Sequence, residues 1–120
     1  MRSPNVLLEA LGVFKRLDPR ISVNEIIAFL YTCENEGLSV QDLARLGGLT
    51  QSTASRSLRS LGRPESPWAE PPALGLVDAY LNPNDGRSHV AHLTDAGRDL
   101  REQLNQIIVR GVTIDDTNAI

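Results

Sequence analysis

The sequence predicts a mainly α-helical fold with a small β-hairpin, arranged as a winged helix-turn-helix. Two short amphipathic helices joined by adjacent glycines predict the helix-turn-helix over 39–61. Two strand candidates, 76–81 and 88–93, flank the turn-forming run Asn82-Pro83-Asn84-Asp85-Gly86, which predicts a hairpin wing over 76–93. A chain of 120 residues suits one such domain, so a single unit over 1–120 is expected.

Two further helices are predicted before this motif. Apolar residues recur through Asn5 to Leu17 in a stripe wider than one buried face needs, and Asp18-Pro19 ends that helix. Ser22 and Glu25 have the spacing of a capping box and start the second helix, which Gly37 is expected to stop. The residues expected to point inward are Val23, Ile26, Ile27 and Leu30.

Within the helix-turn-helix, Ser39 and Asp42 form a second, weaker capping box. Gly47-Gly48 supplies the turn, since adjacent glycines tolerate the positive φ of a tight corner between helices. Thr50 caps the next helix. The expected inward residues are Val40, Leu43, Ala44 and Leu46 on the first helix, and Leu49, Ala54, Leu58 and Leu61 on the second.

The segment after the motif has a different composition. Four prolines and no periodicity predict an irregular proline-rich loop over 62–75, with Trp68 packed over the wing or the helix edge. A contact of Trp68 and Arg63 with DNA or a second protein stays open as an alternative. Thr94 caps the last helix, Gly111 ends it, and 112–120 is expected to be a flexible tail. Its apolar stripe comprises Ala96, Leu100, Leu104, Ile107 and Ile108.

The charge distribution indicates a basic face on an acidic body, although the net charge is −3. Between Gly47 and Pro64 the sequence has three arginines and no carboxylate, while the acids gather before and after the motif. Of the 12 cationic residues only Lys15 is a lysine, and guanidinium groups suit phosphates and guanine edges. These features predict a surface that binds duplex DNA.

The candidate DNA-binding residues lie on the second helix of the motif, just after it, and at the wing. On that helix the side chains off the buried stripe are hydroxyls, an amide and arginines, which can contact base edges and phosphates. Arg87 follows the Asp85-Gly86 turn, where a long cation can reach a narrow minor groove. Asp85 either makes the turn or holds that guanidinium. The full set is Thr50, Gln51, Ser52, Thr53, Ser55, Arg56, Arg59, Arg63, Asp85 and Arg87.

These segments together resemble the MarR family of winged-helix transcriptional regulators over about Ser22 to Leu104. The matching residues are the run SVQDLARLGGLTQSTASRSLRSL, the Gly75-Leu76-Val77 entry to the wing, and Asp85, Arg87, Leu93, Thr94 and Gly97. The resemblance implies that the helix around Ser52 to Arg59 enters the major groove and that Arg87 enters the minor groove. It also implies a homodimer built by helices within 1–18 and 94–111, whose wide or long apolar stripes agree with it. The proline-rich loop and the short terminal helices depart from the family pattern, and a small-molecule effector stays unknown.

Other kinds of site are disfavoured. Cys33 cannot form an internal disulfide, and Glu34 and Glu36 are expected to raise its pKa, which favours an inert thiol. His89 and His92 would lie on opposite faces of a strand, so no metal site is expected. With no nucleophile–base pair, no phosphate loop, no signal peptide and no membrane-length apolar run, we expect a cytoplasmic protein without cofactor, metal or enzymatic activity.

The sequence therefore predicts a sequence-specific regulator that binds double-stranded DNA. A homodimeric repressor acting on a palindromic operator is the leading interpretation. A winged-helix protein–protein adaptor and a phage or plasmid replication-origin binding protein remain as alternatives.

Overall fold

The computed structural model describes residues 4–86 and 88–115, and within them it has five helices and three strands. Arg87 and the 116–120 part of the predicted tail lie outside the described residues. The predicted mainly α fold with a hairpin wing is confirmed. The elements in chain order are α1 (Val6–Leu17), α2 (Val23–Glu34), β1 (Leu38–Ser39), α3 (Val40–Gly47), α4 (Gln51–Ser60), β2 (Val77–Leu81), β3 (His89–Leu93) and α5 (Asp95–Arg110).

The three strands form one antiparallel sheet in the order β1-β3-β2. In the hairpin, Val77 pairs with Leu93 at the base and Leu81 pairs with His89 near the turn. The short strand β1, which pairs Leu38 with Ala91, was absent from the sequence prediction. Two residues are too few to show an alternating pattern, so this pairing depends on contacts distant in sequence.

The predicted helix starts are confirmed by their hydrogen bonds. The Ser22 hydroxyl accepts from the Glu25 amide at 3.1 Å, and the Glu25 carboxylate accepts from the Ser22 amide at 2.8 Å. Ser39 and Asp42 make the same reciprocal pair, at 3.0 and 3.2 Å. The bonds from Ser39 hold the pKa of the Asp42 carboxyl below its ordinary value. Thr50 caps α4 by accepting from the third helical amide.

Several predicted burial positions are wrong. The buried face of α2 carries Ala28, Phe29 and Thr32, whereas Val23 is 70% exposed and Leu30 is 42% exposed. Apolar residues run almost continuously through this helix, so their pattern fixes its phase poorly. Leu46, also predicted to point inward, is exposed, and so are Ala96 and Ile108 of the predicted apolar stripe of α5. Of the turn glycines only Gly48 has a positive φ, of 64°, while Gly47 belongs to α3.

The terminal helices α1 and α5 pack beside each other and leave apolar side chains exposed. The Val6 amide donates to the Val112 carbonyl at 2.8 Å, and Arg110 forms an ion pair with Glu9. The outward side chains form what we term the terminal apolar surface, comprising Leu7, Leu8, Leu11, Ile108 and Val109. No helix in the described ranges is both long enough and apolar enough to cross a bilayer.

Candidate nucleic-acid interface

The helix-turn-helix consists of α3, the Gly48 corner and α4. Gly48 adopts the left-handed conformation, and the Leu49 amide donates to the Ala44 carbonyl at 3.0 Å, which closes the end of α3. Ala54 is fully buried and Leu58 is 1% exposed, so α4 is anchored along one face. The opposite face of α4 is therefore the one available to a partner.

The outward face of α4 carries side chains suited to nucleic acid. Gln51, Ser52 and Arg56 are exposed, and Ser55 is half-buried. The Thr50 hydroxyl accepts from the Thr53 amide at 3.1 Å and donates to its hydroxyl at 3.0 Å, so both threonines belong to the helix cap. Paired donors and acceptors on Gln and Arg match base edges, and hydroxyls match phosphates.

A cleft of about 550 Å³ separates this face from the wing. No carboxylate is among the residues that line it in the described part of the chain. An anionic ligand therefore meets guanidinium and hydroxyl groups here without opposing acids. Its lining residues are Val40, Gln51, Ser52, Ser55, Arg56, Arg59, Trp68, Ser88 and His89.

Arg59 lines the cleft but is engaged within the protein. Its Nε donates to the Ser55 hydroxyl at 3.2 Å, and its Nη1 donates to the Trp68 carbonyl at 3.0 Å. The guanidinium also lies 5.7 Å from the centre of the Trp68 ring, within cation–π range. Trp68 was expected to pack over the wing or the helix edge, and it contacts both, because its ring also lies 5.9 Å from that of His89.

The basic face predicted from the arginines between Gly47 and Pro64 is wrong at Arg63, which is paired with carboxylates. Its guanidinium forms a two-pronged pair with the Asp78 carboxylate, and Glu65 lies 3.9 Å from its Nη1. Arg63 lines a separate depression with Tyr80 and His92 rather than the cleft beside α4. Asp78 is 15 residues from Arg63 in sequence, so the charge pattern around the motif did not reveal this pair.

At the wing, Asp85 shapes the turn. Its carboxylate accepts from the Ser88 amide at 3.1 Å and from the Ser88 hydroxyl. Gly86 has a φ of 67°, and its amide donates to the Asn82 carbonyl at 2.8 Å. These bonds show that Asp85 forms the turn, and the reading in which it also holds the Arg87 guanidinium stays a prediction because Arg87 lies outside the described residues.

Sequence reasoning did not assign Val40, Ser88 and His89 to this surface. Val40 begins α3, and Ser88 and His89 belong to the wing. All three line the same cleft as the outward face of α4. Strand alternation places His89 on the same face as the buried Ala91 and Leu93, which was the one signal available.

Cys33 packs against the core, and each histidine contacts an aromatic ring. Burial raises the pKa of the Cys33 thiol to about 11, with Glu36 and Glu34 adding to the effect and Arg101 opposing it. His92 contacts the Tyr80 ring at 5.5 Å, on the face of the sheet opposite His89. Among the described residues, no group of three or more histidines, cysteines or acids could hold a metal ion.

The fold and this surface together define a winged helix-turn-helix protein. Solved structures with similar folds include transcriptional regulators of the MarR type. The MarR transcriptional regulator from Methanosarcina mazei Go1 is 18% identical at a TM-score of 0.63, over 87% of this chain and 72% of that one. PcaV from Streptomyces coelicolor is 22% identical at a TM-score of 0.60, over 88% and 71%. The repressor CouR, bound to a 23-mer DNA duplex, is 19% identical at a TM-score of 0.60, over 88% and 69%.

These similarities show that the chain has a MarR-like winged-helix fold, which confirms the resemblance at the level of fold. The three neighbours are named as regulators rather than enzymes. No protein-family model matches the sequence, and no curated protein matches it.

Proposed function

We propose that this protein is a transcriptional regulator that binds double-stranded DNA sequence-specifically. The observation that carries the proposal is the cleft between α4 and the wing, where the free guanidinium of Arg56, an amide and hydroxyls meet no carboxylate among the described lining residues. A helix with this outward chemistry fits the major groove, and a wing beside it reaches the adjacent backbone or minor groove.

The proposed contacts divide by chemistry. Gln51 and Arg56 present paired hydrogen-bonding atoms to base edges. Hydroxyls on α4, from Thr50, Ser52, Thr53 and Ser55, contact phosphates or bases. Arg87 enters the minor groove from a turn that Asp85 shapes. Arg59 and Arg63 contribute indirectly, through their contacts with Trp68 and Asp78.

The terminal apolar surface supports a homodimer. Leu8 is 60% exposed, Ile108 60% and Val109 79%, all on two helices that pack side by side. Large exposed apolar side chains on paired helices are typical of an interface. A two-fold dimer would place two α4 helices about 34–36 Å apart, in successive major grooves of a palindromic operator.

Repression by occlusion of a promoter is the simplest action of such a dimer in the cytoplasm. The proposed activity needs neither a cofactor nor an enzymatic step. Solved neighbours include PcaV in complex with its natural ligand and BpsR, whose DNA binding is regulated by 6-hydroxynicotinic acid. A small-molecule effector is therefore compatible with the proposal.

The dimer is tested by placing a charge on its proposed interface. Val109→Asp is expected to convert a dimer into a single 13.1 kDa chain without unfolding it, because the replaced side chain is 79% exposed. Sedimentation velocity at micromolar protein checks the mass. Val23→Asp is the matched control, since Val23 is 70% exposed on α2 and should leave the dimer intact. A monomeric wild type, or a dimeric Val109→Asp, would contradict the proposal.

Salt dependence separates DNA binding from the adaptor alternative. A dimer that neutralises about 6–10 phosphates should lose about 10³–10⁵-fold in duplex affinity between about 50 and 200 mM salt. Fluorescence anisotropy with a labelled duplex measures this slope. An adaptor would bind no duplex, or bind a protein partner through apolar contacts that change little with salt. If the preferred duplex lies in a replication origin rather than a promoter, the origin-binding alternative holds.

A further inference from the structure

The proline-rich loop closes the C-terminal end of α4. The last carbonyls of a helix have no partner within the helix and must be satisfied elsewhere. Here the Glu70 amide donates to the Arg59 carbonyl at 3.0 Å, and the Leu74 amide donates to the Ser60 carbonyl at 3.0 Å. The loop is therefore an extended cap of α4 rather than a loose connection.

Trp68 lies at the centre of this cap. A Cβ added at Gly62 would come within 2.8 Å of the Ala69 Cβ and 3.2 Å of the Trp68 ring, so the loop packs directly on the helix end. On one side, the Trp68 carbonyl and ring hold the Arg59 guanidinium. On the other side, the ring packs against His89 of β3. Trp68 thus connects α4 to the wing.

The contact with His89 is made near the free end of the hairpin. The base of the hairpin is fixed in the core, where Val77 is fully buried and Leu93 is 2% exposed. Near the turn, Leu81 is 58% exposed, and its pairing partner is His89. In the described part of the hairpin near the turn, the His89 ring packs on Trp68. This contact therefore restrains the hairpin where it leaves the core.

We infer that Trp68, although it lines the cleft, serves DNA binding as a positioning residue that fixes the angle between the wing and α4, and not as a contact to the duplex. The inference rests on the proposed function and assigns Arg59 the same indirect role. Because α4 and the wing are proposed to enter different grooves, the distance between them must match the spacing of those grooves. A wing that is fixed before binding avoids the conformational entropy cost of ordering it in the complex.

A double-mutant cycle on duplex affinity tests the inference. Trp68→Ala and Arg59→Ala are each expected to weaken binding about 3–10-fold, the range of a lost aromatic contact or ordering cost. The double variant should lose about as much duplex affinity as one single variant, because both substitutions remove the same connection between α4 and the wing. Trp68→Phe, which keeps a ring, should restore most of the affinity. The matched cycle combines Arg56→Ala with Trp68→Ala. Here the two fold-losses in duplex affinity should multiply, because the residues act independently.

Emission from Trp68 reports on a direct contact, because it is the only tryptophan in the chain. Wild-type emission should stay unchanged when duplex is added. Three results would overturn the inference. They are quenching of this emission by DNA, an unchanged duplex affinity in Trp68→Ala, and fold-losses in affinity that multiply in the Arg59 and Trp68 double variant.

A readout on the free protein separates the two proposals. Trp68→Ala should speed hydrogen exchange at the hairpin amides near the turn, including Asn82, whose amide donates to the Ser88 carbonyl at 2.8 Å. Trp68→Phe should not. If the wild-type protein fails to bind any duplex, the proposed function fails. Unchanged hydrogen exchange in Trp68→Ala would instead contradict the inference that Trp68 restrains the wing.

Discussion

Gly97→Ala is expected to lower the free energy of unfolding by about 3 kcal/mol. A Cβ at this position would lie 2.2 Å from the Leu76 carbonyl oxygen. That carbonyl cannot easily move, since it also accepts from the Thr94 amide at 3.0 Å. The Thr94 hydroxyl in turn donates to the Gly75 carbonyl at 2.7 Å and accepts from the Gly97 amide at 3.0 Å. Relief of the clash would break the junction between the wing and α5.

Gly12→Ala is the matched control for this prediction. Gly12 lies inside α1, and a Cβ there would meet only the end of the Arg16 side chain, at 3.5 Å. Replacing a helical glycine by alanine without a clash should stabilise the fold by about 0.5–1 kcal/mol. Urea unfolding followed by Trp68 emission measures both variants. A Gly97→Ala protein as stable as the wild type would show that the junction is not rigid.

Arg56→Ala is expected to weaken binding to the preferred duplex by about 1–3 kcal/mol for each direct contact. Arg56 is exposed on α4 and lines the cleft, so its loss should remove the proposed contact with DNA and leave the core unchanged. If it contacts phosphate as well, the salt dependence of binding should also become shallower. Anisotropy titrations at several salt concentrations measure both quantities.

Arg16→Ala serves as the control for Arg56→Ala. It removes the same charge from an exposed position on α1, which the structure places outside the cleft. Its affinity should stay close to that of the wild type. Equal losses in the two variants would mean that overall charge, and not the surface of α4, determines binding.

The features that could be predicted from sequence are those set by neighbouring residues. The capping box of Ser22 and Glu25 and the cap at Thr50 need partners only three residues away. The hairpin turn follows equally from local chemistry at Asp85 and Gly86. The run of Leu93, Thr94 and Gly97, which contributed to the family resemblance, also has a structural explanation. Thr94 caps α5, and Gly97 leaves space for the Leu76 carbonyl.

The features that sequence missed depend on distant contacts. Asp78 reaches Arg63 only because β2 returns beside the end of α4. The phase of α2 follows from what it packs on, as in the edge-on contact of Phe29 with Phe14 at 5.9 Å. Within the candidate site, the outward chemistry of α4 was predictable from its period. The engagement of Arg59 by a loop carbonyl was not, since loop conformation has no period.

We propose that the outward face of α4 determines which DNA sequence is bound. Selection of bound duplexes from a random pool, with wild type and Arg56→Ala in parallel, tests it most directly. The wild type should enrich a two-fold symmetric site with half-sites about 10 base pairs apart. Arg56→Ala should relax the base preference at one symmetric pair of positions and keep that spacing. No enriched sequence, or the same preferences for both proteins, would contradict the account.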